Sequence, residues 1–166
     1  LATESLQLVA VVIDSPGGDL DASVDLANDL LAVDDPEILT VAVITGQARS
    51  DAAIIVSSCD ELVMLEGSTL GGPGEVVPIG DELQNVELVL RRIAEEKGRV
   101  WSLLLALVSQ DIVIHQYENL ATGDKRFWNE DQFVEHPLGV QWDRGPLLDT
   151  SEGLSSTDAL ELNLSL

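Results

Sequence analysis

Ser50 stands in "GQARSDAA" (46–53), just past a glycine-led turn that closes a β-branched run. A serine so placed has two uses, and they can coexist. As a nucleophile it needs a base to take its proton; as a helix cap its oxygen accepts an N–H from the first turn of a helix over 51–58. The second stretch with chemical content is "DSPGGD" (14–19). Paired glycines let the backbone approach a ligand and aim N–H groups at it, beside a helix N-terminus whose dipole favours negative charge. Such a turn is an oxyanion hole, a phosphate cradle or simply a turn that needs glycine. The dinucleotide fingerprint needs a third glycine at fixed spacing, which is absent from position 20 onward in this turn, so that reading is weak.

Bases for Ser50 are scarce. Lys97 lies four residues past Ile93 and extends an apolar stripe, so it can fold inward; a lysine at a helix end is equally at home in solvent, where it suits the dipole. His115 alternates with Val113 and Tyr117 along a predicted strand, and His136 precedes Pro137 in a loop, and each also fits an ordinary structural histidine. Arg91 and Arg92 stay protonated and cannot act as bases.

The elements that must hold these groups read as an α/β chain. "LVAVVID" (8–14) is a continuous apolar run ending at a breaker, which predicts a central parallel strand buried on both faces. Leu20, Val24, Ala27 and Leu31 then recur at helical spacing until "DDPE" stops them. "ILTVAVIT" (38–45) and "ELVML" (61–65) are two further strands, with a short helix between them. Strand, helix, strand, short helix, strand is the order of a parallel sheet with crossover helices. "GSTLGGPGEVVPIG" (67–80) is too apolar for a plain linker and long enough to be functional. Beyond it, 82–97 form an amphipathic helix through Val86, Leu90 and Ile93, 100–108 an apolar helix, 111–128 a hairpin turned at "ATGD", and 155–164 a serine-capped closing helix.

With 166 residues, 45% of them hydrophobic, the chain can bury one sizeable core and predicts a single domain over 1–166. Thirty acidic against eight basic side chains give a net charge of −22, which repels phosphate backbones and argues against nucleic acid as a partner. The charge fits a salt-adapted or extracytoplasmic protein, or a merely solvated surface. One cysteine, Cys59, excludes an internal disulfide framework and a cysteine zinc site. No apolar run approaches the ~20 residues of a membrane span, which predicts a soluble domain.

"SPGG" followed about thirty residues later by "GQARS" resembles the ClpP-class serine peptidases, whose pattern is SPGG and then GQAAS with serine as nucleophile. "CDELVMLEGSTLGG" (59–72) is more similar to the membrane-associated relatives, the NfeD-type proteases and signal peptide peptidase A. "YENLATGDKRFWNED" (117–131) and "LLDTSEGLSSTDALELNL" (147–164) are similar to the C-terminal part of the NfeD-type protease domain, so the resemblance covers nearly the whole chain.

The resemblance implies a ClpP/crotonase-like α/β fold and a serine endopeptidase without cofactor or metal, acting on a peptide or protein substrate as a homo-oligomer. Ser50 would attack the peptide carbonyl, and the N–H groups of Gly18 and Asp51 would hold the oxyanion. In that fold a strand and helix precede the SPGG strand, whereas this chain starts close to it, so a longer protein is expected. NfeD-type proteins continue into membrane spans and a small β-barrel domain, which would hold this domain against a membrane, on its extracytoplasmic side.

Two departures from the pattern imply weakened or lost catalysis. The region around Gly74 and Glu75, where ClpP carries its histidine, has none, and Asp81 and Glu82 stand where the membrane-bound relatives carry a lysine base. A carboxylate of ordinary pKa, near ~4, is a poor base for a serine hydroxyl. Asp51 and Ala52 also follow Ser50 where relatives have a small or apolar residue and then glycine. A carboxylate there opposes the developing negative charge unless Arg49 pairs with it. The rival expectation is therefore a non-catalytic scaffold of the same fold that binds a peptide or partner. A crotonase-type acyl-CoA site is a weaker third, since those enzymes need no serine at position 50.

Overall fold

The computed structural model describes residues 7–33, 35, 37–136 and 141–166. The chain begins strand, helix, strand: β1 (Gln7–Ser15), α1 (Leu20–Leu31) and β2 (Ile38–Ala48). A short helix and two strands follow, α2 (Ala52–Ser58), β3 (Glu61–Met64) and β4 (Thr69–Leu70). β2 is the centre of the sheet. Along one side it pairs in parallel with β1, from Gln7 opposite Ile38 to Ser15 opposite Ala48. Along the other it pairs in parallel first with β3, through Val41–Ile44, and then with β4, through Gln47 and Ala48. β8 (Leu154–Ser155) closes that edge, antiparallel to β4. The result is the mostly parallel α/β sheet that the order of apolar runs predicts.

Helices cover the sheet for reasons visible in their sequences. Asp19 caps α1 by accepting the Ala22 N–H at 3.1 Å, and the helix turns Ser23, Ala27, Leu30 and Leu31 inward. Most of α2 is buried, which its small and branched residues allow. α3 (Asp81–Lys97) buries Val86, Leu90, Ile93 and Ala94 and ends at Gly98, whose φ of 65° is the left-handed conformation a helix terminus uses. α4 (Trp101–Val108) is buried on every side. Ile44, Ile54, Leu90, Ile93, Leu104 and Leu107 are fully buried and join the two layers.

A second, three-stranded antiparallel sheet holds β5 (Ile114–Asn119) between β6 (Lys125–Trp128) and β7 (Trp142–Leu148). The hairpin turns where "ATGD" predicts, with the Asn119 side chain accepting from Ala121 N and Thr122 N. Tyr117 stacks on Phe133, ring centroids 4.3 Å apart, and Trp128 packs edge-on against Trp142 at 5.0 Å. Phe133 belongs to α5 (Glu130–Glu135), which is capped by Asn129. The closing helix α6 (Ser156–Glu161) starts at Ser155 and Asp158, which satisfy each other's backbone N–H groups in a capping box.

One expectation is corrected. β1 is an edge strand rather than a central one, with β2 its only partner among the described residues. Ile13 is buried, while Leu8 and Val12 are 62% and 66% exposed. A continuous apolar run reads the same for a strand covered on both faces and for an apolar edge. Among the described residues no helix is long and apolar enough to cross a membrane.

Candidate active site

Ser50 sits where the carboxyl ends of three strands are tied together. Arg49 N–H donates to Ser15 O at 3.0 Å, Gly71 N–H to Ala48 O at 2.8 Å and Ser50 N–H to Gly72 O at 3.2 Å. Between β2 and α2 the chain turns so sharply that Ser50 takes a φ of 49°, in the left-handed region that a side chain normally avoids at a cost of ~1–2 kcal/mol. Ser50 is not the cap of α2. That position falls to Asp51, which makes no side-chain cap bond because its carboxylate accepts from Gly18 and Ser23 instead, and the Ser50 hydroxyl turns away to donate to the Val76 carbonyl.

The segment after β4 lies across the serine. Glu75 N–H donates to Pro16 O at 2.9 Å, bringing this segment against the "SPGG" turn. A Cβ at Gly74 would come within 2.4 Å of Pro16 O and 2.7 Å of Ser50 Cβ, so only glycine lets the backbone pass this close. Ser50 is 1% exposed as a result.

The "SPGG" turn meets Asp51 through its side chain. Gly18 N–H donates to Asp51 Oδ1 at 2.9 Å, and Ser23 Oγ donates to Asp51 Oδ2 at 2.6 Å. Gly17, at a φ of 94°, passes so close that a Cβ there would lie 2.7 Å from Asp51 Oδ1. Arg49 does not pair with this carboxylate. Its Nε donates to Gln47 Oε1 at 2.9 Å and its Nη1 to the carbonyls of Glu152 at 3.2 Å and Pro73 at 3.4 Å. Asp51 is 2% exposed and held by neutral donors. Sequence reasoning missed Ser23 and Val76; the only available signal for Ser23 was a hydroxyl on the inward face of α1.

The structure does not bring Lys97 to Ser50. Lys97 Nζ is 2.6 Å from Asp60 Oδ1, and Asp60 Oδ2 accepts from Thr40 N at 2.7 Å and Thr40 Oγ1 at 2.6 Å. From Thr40 to Ala48 the strand advances about 26 Å at ~3.3 Å per residue, so this ion pair belongs to the opposite end of β2. His115 lies on β5 beside Arg144, and His136 packs on Trp128 and Trp142, at ring-centroid distances of 4.7 and 5.9 Å. Asp81 and Glu82 are exposed in the first turn of α3, where carboxylates suit the helix dipole.

Beside Gly17 and Gly18 a groove of about 420 Å³ runs between β1 and α1. Its walls include Val11, Ile13, Leu26 and Ile55, and Asp14 and Asp19 border it. Among the described residues no group of three or more His, Cys, Asp or Glu side chains could hold a metal ion.

A parallel sheet with a serine at the carboxyl end of its central strand and a glycine turn at the end of the neighbouring one is the arrangement of the ClpP-like peptidases. This chain has that fold. A membrane-bound stomatin-specific protease, 1510-N, solved with a substrate peptide, superimposes at a TM-score of 0.51 with 13% identity, over 78% of this chain and 57% of that one. The chain thus spans a little over half of that protease. ClpP1 of Listeria monocytogenes superimposes at 0.45 with 16% identity, over 79% of this chain and 70% of its own, and a peptidase of Plasmodium falciparum at 0.42 with 14% identity, over 80% and 76%. No family model and no curated protein matches the sequence.

Proposed function

We propose that the chain is a peptidase-type domain that binds a peptide at the carboxyl edge of its sheet and acts on it through Ser50. The observation that carries this reading is the left-handed Ser50 at the end of β2, beside the "SPGG" turn, in a ClpP-like fold. In the reaction Ser50 Oγ adds to the peptide carbonyl carbon, its proton passes to a base, and the carbonyl oxygen becomes an oxyanion held by the N–H groups of Gly18 and Asp51. The conformation described is a latent one. The Ser50 proton points to the Val76 carbonyl, which is no base, and the Gly18 N–H points to a carboxylate.

Catalysis in this reading needs a base that the described residues of the same copy do not bring to Ser50, supplied by a neighbouring copy of the chain or by another part of the full protein. The resemblance to NfeD-type proteases supports a homo-oligomer held to a membrane by regions outside this chain, with this domain on the extracytoplasmic side. The buried Asp51 at Gly18 favours a second reading, a pseudo-protease that keeps the groove for peptide or partner binding.

A serine-directed fluorophosphonate probe on the full, assembled protein separates the two. Labelling that Ser50→Ala abolishes supports the peptidase. No labelling, together with saturable binding of a peptide that Gly18→Val weakens, supports the scaffold.

A further inference from the structure

We infer that Asp51 is an autoinhibitory plug: its carboxylate occupies the place where an acceptor oxygen of a ligand would meet the Gly18 N–H, and external carboxylates compete for that place once Asp51 is removed. The two oxygens of Asp51 divide the donors of the pocket between them, one taking Gly18 N–H at 2.9 Å and the other Ser23 Oγ–H at 2.6 Å. One N–H donates fully to one oxygen at a time, and two negative oxygens at van der Waals contact repel. A carbonyl turning into an oxyanion at Gly18 therefore has to displace Asp51.

Charge placement separates this arrangement from an ordinary structural tie. Buried carboxylates are normally paired with a cation. Here Arg49, two residues away in sequence, turns to Gln47, Pro73 and Glu152, leaving Asp51 with neutral donors alone among the described residues. A carboxylate held that way is released more readily than one locked in an ion pair. The open groove of about 420 Å³ that Asp51 borders gives an incoming ligand access from the side of Gly18, which is itself exposed. The consequence for Ser50 rests on the peptidase reading above; the anion pocket itself does not.

The test uses Asp51→Ala in the full protein, with formate as the probe and sodium chloride at equal ionic strength as the control. Formate fits the space that the side chain leaves and can take both hydrogen bonds. Formate should raise the melting temperature of Asp51→Ala saturably and leave the wild type unchanged. In the same variant, fluorophosphonate labelling of Ser50 should rise at least about tenfold over wild type and fall again with formate, as ~1.4 kcal/mol of barrier is restored. If Asp51→Ala does not fold, Asp51→Asn with Ser23→Ala keeps the shape while weakening the hold on Gly18, and labelling should still rise. Absence of a formate effect in a folded Asp51→Ala overturns the plug. Formate stabilisation without labelling in any variant supports the plug and overturns the peptidase reading, so the two failures are distinguishable.

Discussion

Asp60 shows how a candidate base can be spent on structure. Burial alone would raise its carboxyl pKa, but hydrogen bonds from Lys97 and from the Thr40 hydroxyl and amide outweigh that and hold it down at about 2. A depressed carboxyl contributes stability above its unfolded pKa of 3.8 and loses it as pH falls toward 2. Lys97→Met should therefore cost roughly 1 kcal/mol at neutral pH, discounted for a carboxylate a third open to water, and flatten the loss of stability between about pH 4 and 2. Urea titrations at pH 7, 4 and 2.5 read both effects. The same variant should leave fluorophosphonate labelling at Ser50 unchanged, whereas a fall would mean that the lysine reaches the serine in the assembled protein. The stripe through Ile93 left Lys97 two places, folded inward or in solvent at the helix end, and the structure folds it inward onto Asp60. Where it arrives follows from length, because α3 carries the chain about 26 Å at ~1.5 Å per residue, from the carboxyl edge back to the amino edge of the sheet. Buried Cys59 lies in the same cluster, its thiol pushed up to about 11 by burial against the opposing pull of Arg99.

β1 alternates in a way that its composition hides. Ile13 points into the core and is 7% exposed, while its neighbour Val12 is 66% exposed on the other face. Ile13→Lys should cost about 3 kcal/mol or more, because it buries a charge without a partner. Val12→Lys should cost no more than about 0.5 kcal/mol in the isolated domain, since only exposed surface changes. A loss at Val12 as large as that at Ile13, seen by chemical denaturation of the assembled protein, would show that this face of β1 is covered there. The remaining elements divide by how much local signal they carry. α1, α3 and the hairpin had caps, periodicity or a turn motif, and the structure has them where those signals lie. β7 did not, because "WDRGPLL" holds a glycine and a proline; Pro146 is tolerated because β7 is an edge strand that, among the described residues, pairs only with β5. The two chemical stretches were legible as turns facing one sheet edge, but not the contact between Gly18 and the Asp51 side chain. Nothing local says whether an aspartate after a nucleophile offers its amide or its carboxylate.

A net charge of −22 on 166 residues makes the folded chain repel itself, since folding brings carboxylates closer than they are in the open chain. Specific pairing offsets little of this. Arg91 bridges Glu87 at 2.8 Å and Glu135 at 3.2 Å, Arg92 meets Glu96 at 2.8 Å and Arg144 meets Glu130 at 3.1 Å, all at least partly open to solvent. Such exposed pairs contribute about 0–1 kcal/mol each and are themselves weakened by salt. Eight cations facing thirty carboxylates leave most of the repulsion without a partner, so screening should help the fold more than it harms these bridges. Raising sodium chloride from about 10 mM to about 1 M shortens the Debye length from ~30 to ~3 Å and should raise the melting temperature by several degrees. Potassium chloride should do the same, because the effect is one of ionic strength and not of a bound cation. A melting temperature that falls with salt would mean that the few ion pairs, led by Lys97 with Asp60, outweigh the diffuse repulsion.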